Sequence, residues 1–487
     1  IGNTIMVNGW DPENQFIDMD FGNAQFDVIF DSENNELDDV TEYWVKGEDN
    51  VMFDFTGGIT GENDAIITDV WVDPVNGWNE GNAVGDSLNP FLTIDHALGM
   101  IYQTEDNPIT IYLTEGTFSP TLNKEIFPIK IPSYVNLIGK GKDVTLLDAE
   151  AVSENADHWS GWSHVTPLLY FEETLDNIIS HLTLKKGGNW YGGGISCYDS
   201  DININQVKID SCWAAWGGGI YFEDSNPNLE NLEIDDNYAT ISGGGLHYNG
   251  SNGNLQNIIA ANNYAGDGGG ISFYDDSSPS LEDSEIYDNT VMGSGGGIFC
   301  GVNSNPYLSN VEISGNQAQL GGGIRTSTSS PYLNNVIIKE NISSYRAGGI
   351  MGYPASNEPI FMENVMILDN LGVGAFFMDQ SSILTNVIIN GNMMIDGGGE
   401  GGGLWIYNAS STLNGVTIRN NISNSLGAGL IISSGAVNQT SILFNEDNRC
   451  NIYSNHSYLP TGDGEGCLDT DCFENDYFGD GCIESTY

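Results

Sequence analysis

One short unit limits what this chain can become. Three small residues, mostly glycine, are followed by an aliphatic residue, and the unit returns about every 26 positions. The closing residues are Ile195, Ile220, Leu246, Ile271, Ile298, Ile324, Ile350, Ala375, Leu404 and Leu430, at steps of 25 to 29 residues. So steady a period marks a solenoid, in which each unit buries its apolar face only against its neighbours.

Within the unit a consensus runs GGGI-x-x-x-x-S-x-P-x-L-x-N-V-x-I-x-x-N, as in GGGIFCGVNSNPYLSNVEISGN and GGGIRTSTSSPYLNNVIIKEN. Short alternating segments such as Val311-Glu312-Ile313 are split by Asn, Gly and Pro. Alternation with period two means strand, those clusters mean turns, and no segment of the repeat has a helical period. Helical solenoids are excluded. Three short parallel strands per coil, stacked at ~4.8 Å, give an all-β, right-handed parallel β-helix. Val311 and Ile313 then point inward and Glu312 outward, in the columns that hold Val336/Ile338, Val365/Ile367, Val387/Ile389 and Val416/Ile418. Asn237, Asn263, Asn289, Asn316, Asn341, Asn370, Asn392 and Asn421 share one register, with Cys212 in that place one coil earlier. Their spacing predicts an internal amide ladder joining coil to coil. The glycines predict a tight corner needing positive φ or close backbone approach.

Three regions follow. Residues 66–440 carry the β-helix, with regular coils over 190–435 and a short amphipathic helix at about 93–102 to cap the first coil. Residues 1–65 hold alternating segments without the period and predict a small β domain or N-terminal extension. Residues 441–487 lose the repeat and predict a cysteine-containing cap over the last open edge. The run Pro90-Phe91-Leu92-Thr93-Ile94, the strand ITIYLTEGTFS and Leu137-Ile138-Gly139-Lys140-Gly141 resemble the entry of secreted bacterial proteins of the pectin-lyase-like β-helix superfamily. The GGGI and Asn-x-Ala units (Asn237-Tyr238-Ala239, Asn316-Gln317-Ala318) resemble the repeats of polymorphic outer-membrane proteins. The resemblance covers roughly 66–440 and implies the fold. For activity it implies little, since that superfamily holds lyases, hydrolases, adhesins and phage spikes.

Charge narrows the partners. Thirteen Lys+Arg stand against 67 Asp+Glu, a formal −54. Nucleic-acid binding depends on basic residues neutralising phosphates, so nucleic acid is excluded as a partner. No apolar run approaches the ~20 residues that span a bilayer, so membrane insertion is not expected. The chain starts without Met or a signal peptide, which predicts a mature or trimmed product. Cys450, Cys467, Cys472 and Cys482 crowd the tail and are disulfide candidates, which implies an oxidising, extracellular or cell-surface setting. Cys197, Cys212 and Cys300 lie inside the repeats and are expected as small buried thiols. Asp469 and Asp471 are of calcium-ligand type without EF-hand spacing, and calcium is the cofactor such ligands suit. Of five Asn-x-Ser/Thr sequons, those at Asn341 and Asn421 fall on the ladder, whereas Asn408, Asn438 and Asn455 are expected open.

No catalytic motif of the superfamily is matched. The four arginines, Arg325, Arg346, Arg419 and Arg449, form no Arg-x-x-Arg. Asp235-Asp236 and Asp275-Asp276 occur without the companion motifs of polygalacturonase-type hydrolases. The strongest constellation is aromatic: Trp159, Trp162, Trp190, Trp213 and Trp216, with Lys185 and Lys186 as local positive charge. Indole faces stack on sugar C–H surfaces, so these residues are the candidate glycan site; packing of the 151–166 insertion explains them equally well. Trp190 and Trp216 precede adjacent corners and should be neighbours on one rim. A second feature is apolar. The outward position after each corner holds Tyr221, His247, Ser272, Phe299, Arg325, Met351, Phe376, Trp405 and Ile431, and another face holds Ile337, Met366 and Ile388. An exposed stripe of this kind predicts a cover: another part of the chain, a partner protein or self-association. The expected function is a secreted or cell-surface β-helix, glycan-interacting and non-catalytic, serving as adhesin or structural surface module. The alternatives are a polysaccharide lyase or glycoside hydrolase acting across the Trp-rich coils, and a subunit of an extracellular filament or surface layer.

Overall fold

The computed structural model describes residues 66–79, 84–151, 166–353, 358–394, 401–424, 427–433 and 449–456, together with short strand segments elsewhere. They wind about 12 turns of a parallel β-solenoid at about 26 residues per turn. The regular coils have three walls, and in Ile342–Gly352 and Leu371–Met378 the third runs through the corner into the first as one strand. Wall 1 follows the glycine corner, as in Ile195–Tyr198, Ile220–Glu223, Leu246–Asn249 and Ile271–Tyr274. Wall 2 is the longest, as in Asn203–Asp210, Asn228–Asp235 and Asn254–Ala261. Wall 3 is short, as in Trp213–Trp216, Tyr238–Ser242 and Tyr264–Ala265. Register is strict along wall 1, where Ile220, Leu246, Ile271, Ile298 and Ile324 pair in succession. Those five side chains are buried in one apolar column. Each contributes about 1.5–3 kcal/mol relative to exposure.

Wall 2 carries a kink that alternation alone does not foretell. Asn231, Asn257, Asp283 and Asn310 adopt positive φ, and from Ser280 onward the wall divides into two segments, Ser280–Glu282 and Glu285–Tyr287. Asn and Asp tolerate that conformation better than other side chains. Beyond the kink the expected orientation holds, with Val311 and Ile313 buried and Glu312 only half-buried.

Between walls 2 and 3 the chain turns on two residues, such as Asp236, at φ 55°, and Asn237. The second is the buried asparagine. Asn237 Nδ2 donates to Asn263 Oδ1 at 3.0 Å and to the Ile209 carbonyl at 3.1 Å, while its Oδ1 accepts from the Cys212 amide at 2.9 Å. The amide-to-amide contact repeats at 2.8–3.0 Å through Asn289, Asn316, Asn341, Asn370, Asn392 and Asn421 to Asn455. Asn455 is thus one rung more than the repeat predicts, and its sequon is buried rather than open. A second ladder joins walls 1 and 2. The amides of Ser200, Ser225, Ser251, Ser277 and Ser304 each donate to the serine hydroxyl of the next coil at 3.0–3.1 Å. Its signal was the serine two places before proline in the consensus.

The corner between walls 3 and 1 needs its glycines for two reasons. Gly217 has φ +64°, and a Cβ there would lie 2.3 Å from the Ile220 carbonyl oxygen. At Gly218 and Gly219 the obstacle is the next coil, since a Cβ would meet Gly244 O at 2.4 Å and Gly245 O at 2.6 Å. The first glycine makes the turn, and the others let backbones stack. Cys197, Cys212 and Cys300 are buried free thiols, as expected, and burial pushes Cys197 and Cys212 up to about 12.

The capping helix is Ile94–Met100, with Thr93 Oγ1 accepting from the His96 amide at 3.2 Å. Ile94 and Ala97 close the first coil's core. Glu125, 2 % exposed, accepts from the Ile94 and Asp95 amides at 2.9 and 3.1 Å. Within residues 1–65, Ile17–Asp18 pairs with Val45–Lys46 and Val28–Asp31 with Phe53–Thr56, both parallel. The side chains of Cys467, Cys472, Cys482, Asp469 and Asp471 lie outside the described residues, as does Asn438. Cys450 is half-buried against the last coil's core. No helix among the described residues is long and apolar enough to cross a membrane.

Two predictions follow from the ladder and the cap. Replacing Asn316 by Ala orphans the buried Asn289 amide and the Ile286 carbonyl it serves, which should cost about 2–5 kcal/mol in denaturant unfolding. Asn335→Gly, on the exposed kink at φ 56°, keeps that backbone conformation and should stay within about 0.5 kcal/mol. At the cap, burial, reinforced by Asp95, pushes Glu125 up to about 7, above its ordinary 4.5. Its protonated form therefore favours the fold, and that contribution fades as pH rises from 4.5 through about 7. Burial lowers His96 to about 4 from 6.5, so its contribution fades as pH falls through that range. Hydrogen exchange of the helix amides, corrected for intrinsic rate, should be slowest between those limits, and Glu125→Gln should remove the loss on the alkaline side.

Candidate functional site

Outside the corner the chain forms a re-entrant seam. Residues just before the glycines on wall 3 (Tyr191, Trp216, Ser242, Asp267) stand against the second residues of wall 1 (Tyr221, His247, Ser272, Arg325). Tyr191 packs on Tyr221 with ring centroids 4.9 Å apart, and Ser242 Oγ donates to Ser272 Oγ at 2.9 Å. This seam corrects the expectation of an exposed stripe after the corner. Tyr221 and His247 are each 3 % exposed, Arg325 6 %, Phe376 0 % and Trp405 7 %. In the early coils the cover comes from the corner itself, because the positive-φ glycine swings the preceding residue back over wall 1, whereas Phe376 and Trp405 are buried in a separate apolar cluster with Ala347, Met351, Val373, Met394 and Ile431. The second predicted stripe, Ile337, Met366 and Ile388, is half-buried on wall 2.

The early coils fill the seam with rings. Trp216 stacks on Tyr191 at 5.2 Å and 16° and lies 6.4 Å from Trp190, so the predicted neighbours do share a rim. Strand register pairs Trp216 with Tyr191, a residue that the tryptophan count passes over. A line of rings crosses successive coils: Tyr170 to Tyr198 at 5.7 Å, Tyr198 to Tyr221 at 5.8 Å, Tyr221 to His247 at 5.5 Å and 3°, His247 to Tyr274 at 6.2 Å. Tyr191 and Tyr274 are exposed, and Trp190, Trp216, Tyr170 and Tyr198 half so. Tyr221 Oη donates to Glu223 Oε2 at 3.0 Å, fixing a carboxylate beside the rings. Burial lowers His247 to about 3, so its imidazole is neutral at ordinary pH and is no proton carrier there. Burial, with Glu223 next, raises the Tyr221 phenol. The ridge offers flat apolar faces and fixed polar edges.

Further along, polar groups take over. Asp267 accepts from the Ser294 amide at 2.6 Å; burial raises its carboxyl, and Arg325 opposes that rise. Burial lowers Arg325 to about 10, which leaves it a cation.

The remaining predicted site residues are not gathered here. Trp213 is 2 % exposed, its ring against Gly188, where a Cβ would lie 2.4 Å from Cε2. It packs, and glycine at 188 makes the room. Lys185 ends the wall-2 strand Ile178–Lys185 and Lys186 begins the turn into wall 3, in ion pairs with Asp210 at 3.9 Å and Asp148 at 3.2 Å. Their charge serves the acidic wall 2 and not the rings. Trp159 and Trp162 lie outside the described residues. Near Lys185, one carboxylate oxygen each from Asp210, Asp235 and Asp236 falls within 4.8 Å of the others. Burial, then Asp235 and Asp210, raises the Asp236 carboxyl. Lys208 stands 3.5 Å from Asp235, so part of that charge is already met.

The family model for the right-handed β-helix region matches residues 171–333 and 270–447. The chain belongs to this right-handed β-helix family. No curated protein sequence matches it. Among solved structures, the chain is similar to the A-module of mannuronan C-5 epimerase AlgE6 of Azotobacter vinelandii, at 14 % identity and TM-score 0.37, covering 72 % of this chain and 91 % of that one. It is also similar to the catalytic unit of a GH87 α-1,3-glucanase from Streptomyces thermodiastaticus, at 12 % identity and TM-score 0.41, covering 72 % and 65 %. Pectin methylesterase PemA from Erwinia chrysanthemi aligns at 9 % identity and TM-score 0.33, covering 55 % and 90 %. Likenesses this distant carry no activity across to this β-helix.

Proposed function

We propose that this chain is a secreted or cell-surface β-helix that recognises a glycan along its outer seam without transforming it, as an adhesin or structural surface module. The observation that carries the reading is the ridge of rings at Trp190, Tyr191, Trp216 and Tyr198, surface-accessible and spaced coil by coil. Flat apolar faces repeated at ~4.8 Å suit an extended chain of sugar rings, and the Glu223 carboxylate beside them suits hydroxyl donors. Acid–base chemistry is not part of the proposal, since His247 is held neutral and the Asp267 carboxylate is engaged with Ser294 and faces Arg325.

The test incubates the full chain with neutral, acidic and sulfated polysaccharides, with and without calcium, and records both retention and newly formed chain ends. The expected result is retention without new ends, weakened about tenfold or more in a Trp190→Ala/Trp216→Ala double variant, as befits the loss of two ring contacts. New ends that vanish in the variant would replace this reading with a lyase or hydrolase. No retention of any glycan would return the rings to packing and overturn it.

A further inference from the structure

We infer that the later part of the seam binds the anionic group of a carboxylate- or sulfate-bearing saccharide, through Arg346 held on an aromatic platform. This rests on the seam being a glycan groove and specifies the class of glycan it takes.

Arg346 occupies the corner position that Trp216 holds five coils earlier, roughly 24 Å away along the axis at ~4.8 Å per coil. Its guanidinium carbon lies 5.2 Å from the centroids of Tyr345 and Phe376 and 5.6 Å from that of Trp405. The floor is rigid. Phe376 and Trp405 stack at 4.3 Å, and Trp405 Nε1 donates to Ser433 Oγ at 3.0 Å. The backbone is pinned too, with the Arg346 amide donating to Ser343 Oγ at 3.1 Å. A guanidinium stacked on rings uses its face and leaves the N–H groups of its edge to an acceptor in its plane.

That acceptor is not supplied by the described residues. Every ion pair among them joins a lysine to an acid. Arg325, one coil earlier, has Asp267 to offset it, whereas no carboxylate among the described residues pairs with Arg346. In a chain with 67 acids and 13 bases, a half-buried cation kept among rings stands out. Carboxylate and sulfate both present oxygen pairs that match the guanidinium edge, and charge-assisted bonds are strongest where water is scarce. The formal −54 opposes any anionic polymer at long range, but the Debye length is ~10 Å at 0.1 M salt, so the local contact decides there. Affinity should therefore rise as salt goes from about 0.01 to 0.1 M, the reverse of a generally basic surface.

The experiment titrates the full chain with matched pairs: a polyuronate oligomer against its full methyl ester, and dextran sulfate against dextran. Wild type should prefer one or both charged members about tenfold or more, and the pair that shows it identifies carboxylate or sulfate. Arg346→Gln should abolish the preference, lowering affinity for the charged member about tenfold or more relative to its neutral counterpart. Arg346→Lys, which keeps the charge but not the planar fork, should retain only part of it and carries the test if the glutamine variant misfolds. The Trp190→Ala/Trp216→Ala variant should weaken charged and neutral members alike and keep their ratio. Equal binding of charged and neutral members, or a preference that survives Arg346→Gln, would overturn this inference while leaving glycan recognition in place. Failure of every member to bind would overturn both.

Discussion

The structure depends on one buried contact repeated along its axis: an asparagine amide handed from coil to coil. At each turn between walls 2 and 3 the backbone leaves a sheet and must re-enter one, which strands polar groups in an apolar interior. The asparagine meets that demand in three directions, as Asn289 does with Asn316, the Ala260 carbonyl and the Asn263 amide. No coil is complete alone. Its rung is finished by the next, which makes stability a sum of neighbour terms.

Strict stacking has consequences outside the core. Because each corner lies directly over the last, residues before and after the glycines form two facing columns, and whatever occupies them becomes continuous. The columns hold rings in the early coils, hydroxyls and an Asp–Arg couple in the middle, and an arginine over rings near the end. A groove of this kind has a composition that changes along its length while its shape does not. That suits recognition of an extended polymer whose units differ.

Much of this was legible in the sequence. The period, the inward aliphatic pairs and the asparagine register all report on the interior, where alternation and burial leave one solution. The exterior was less so. Alternation places Tyr221 and His247 outside the core, but it cannot say that the corner folds back over them, since that depends on the φ of the corner glycine. For the same reason Tyr191 drew no notice as a site residue, while Arg346, inside the continuous strand Ile342–Gly352, meets its rings only across neighbouring coils. Trp213 and Lys185 misled because sequence proximity to Trp216 and Trp190 is not proximity on the rim: one fills the space above Gly188 and the other ends the wall-2 strand, across the turn from wall 3. Asn455 continued the ladder after the glycine period had lapsed, so its register was visible only in three dimensions.

The central claim is that coils are equivalent units joined by in-register rungs. Gly295 and Gly321 share a corner position, with φ +69° and +65°. Deleting residues 296–321 joins Gly295 to Gly322 and brings Asn289 against Asn341 in the ladder. Cooperative unfolding of that shortened chain, compared with one lacking only half a coil, is the most direct test. The account predicts that the whole-coil deletion folds, unfolds in a single transition near the parent midpoint and keeps its ring ridge, while the half-coil deletion collapses. Equal damage from both deletions would contradict it.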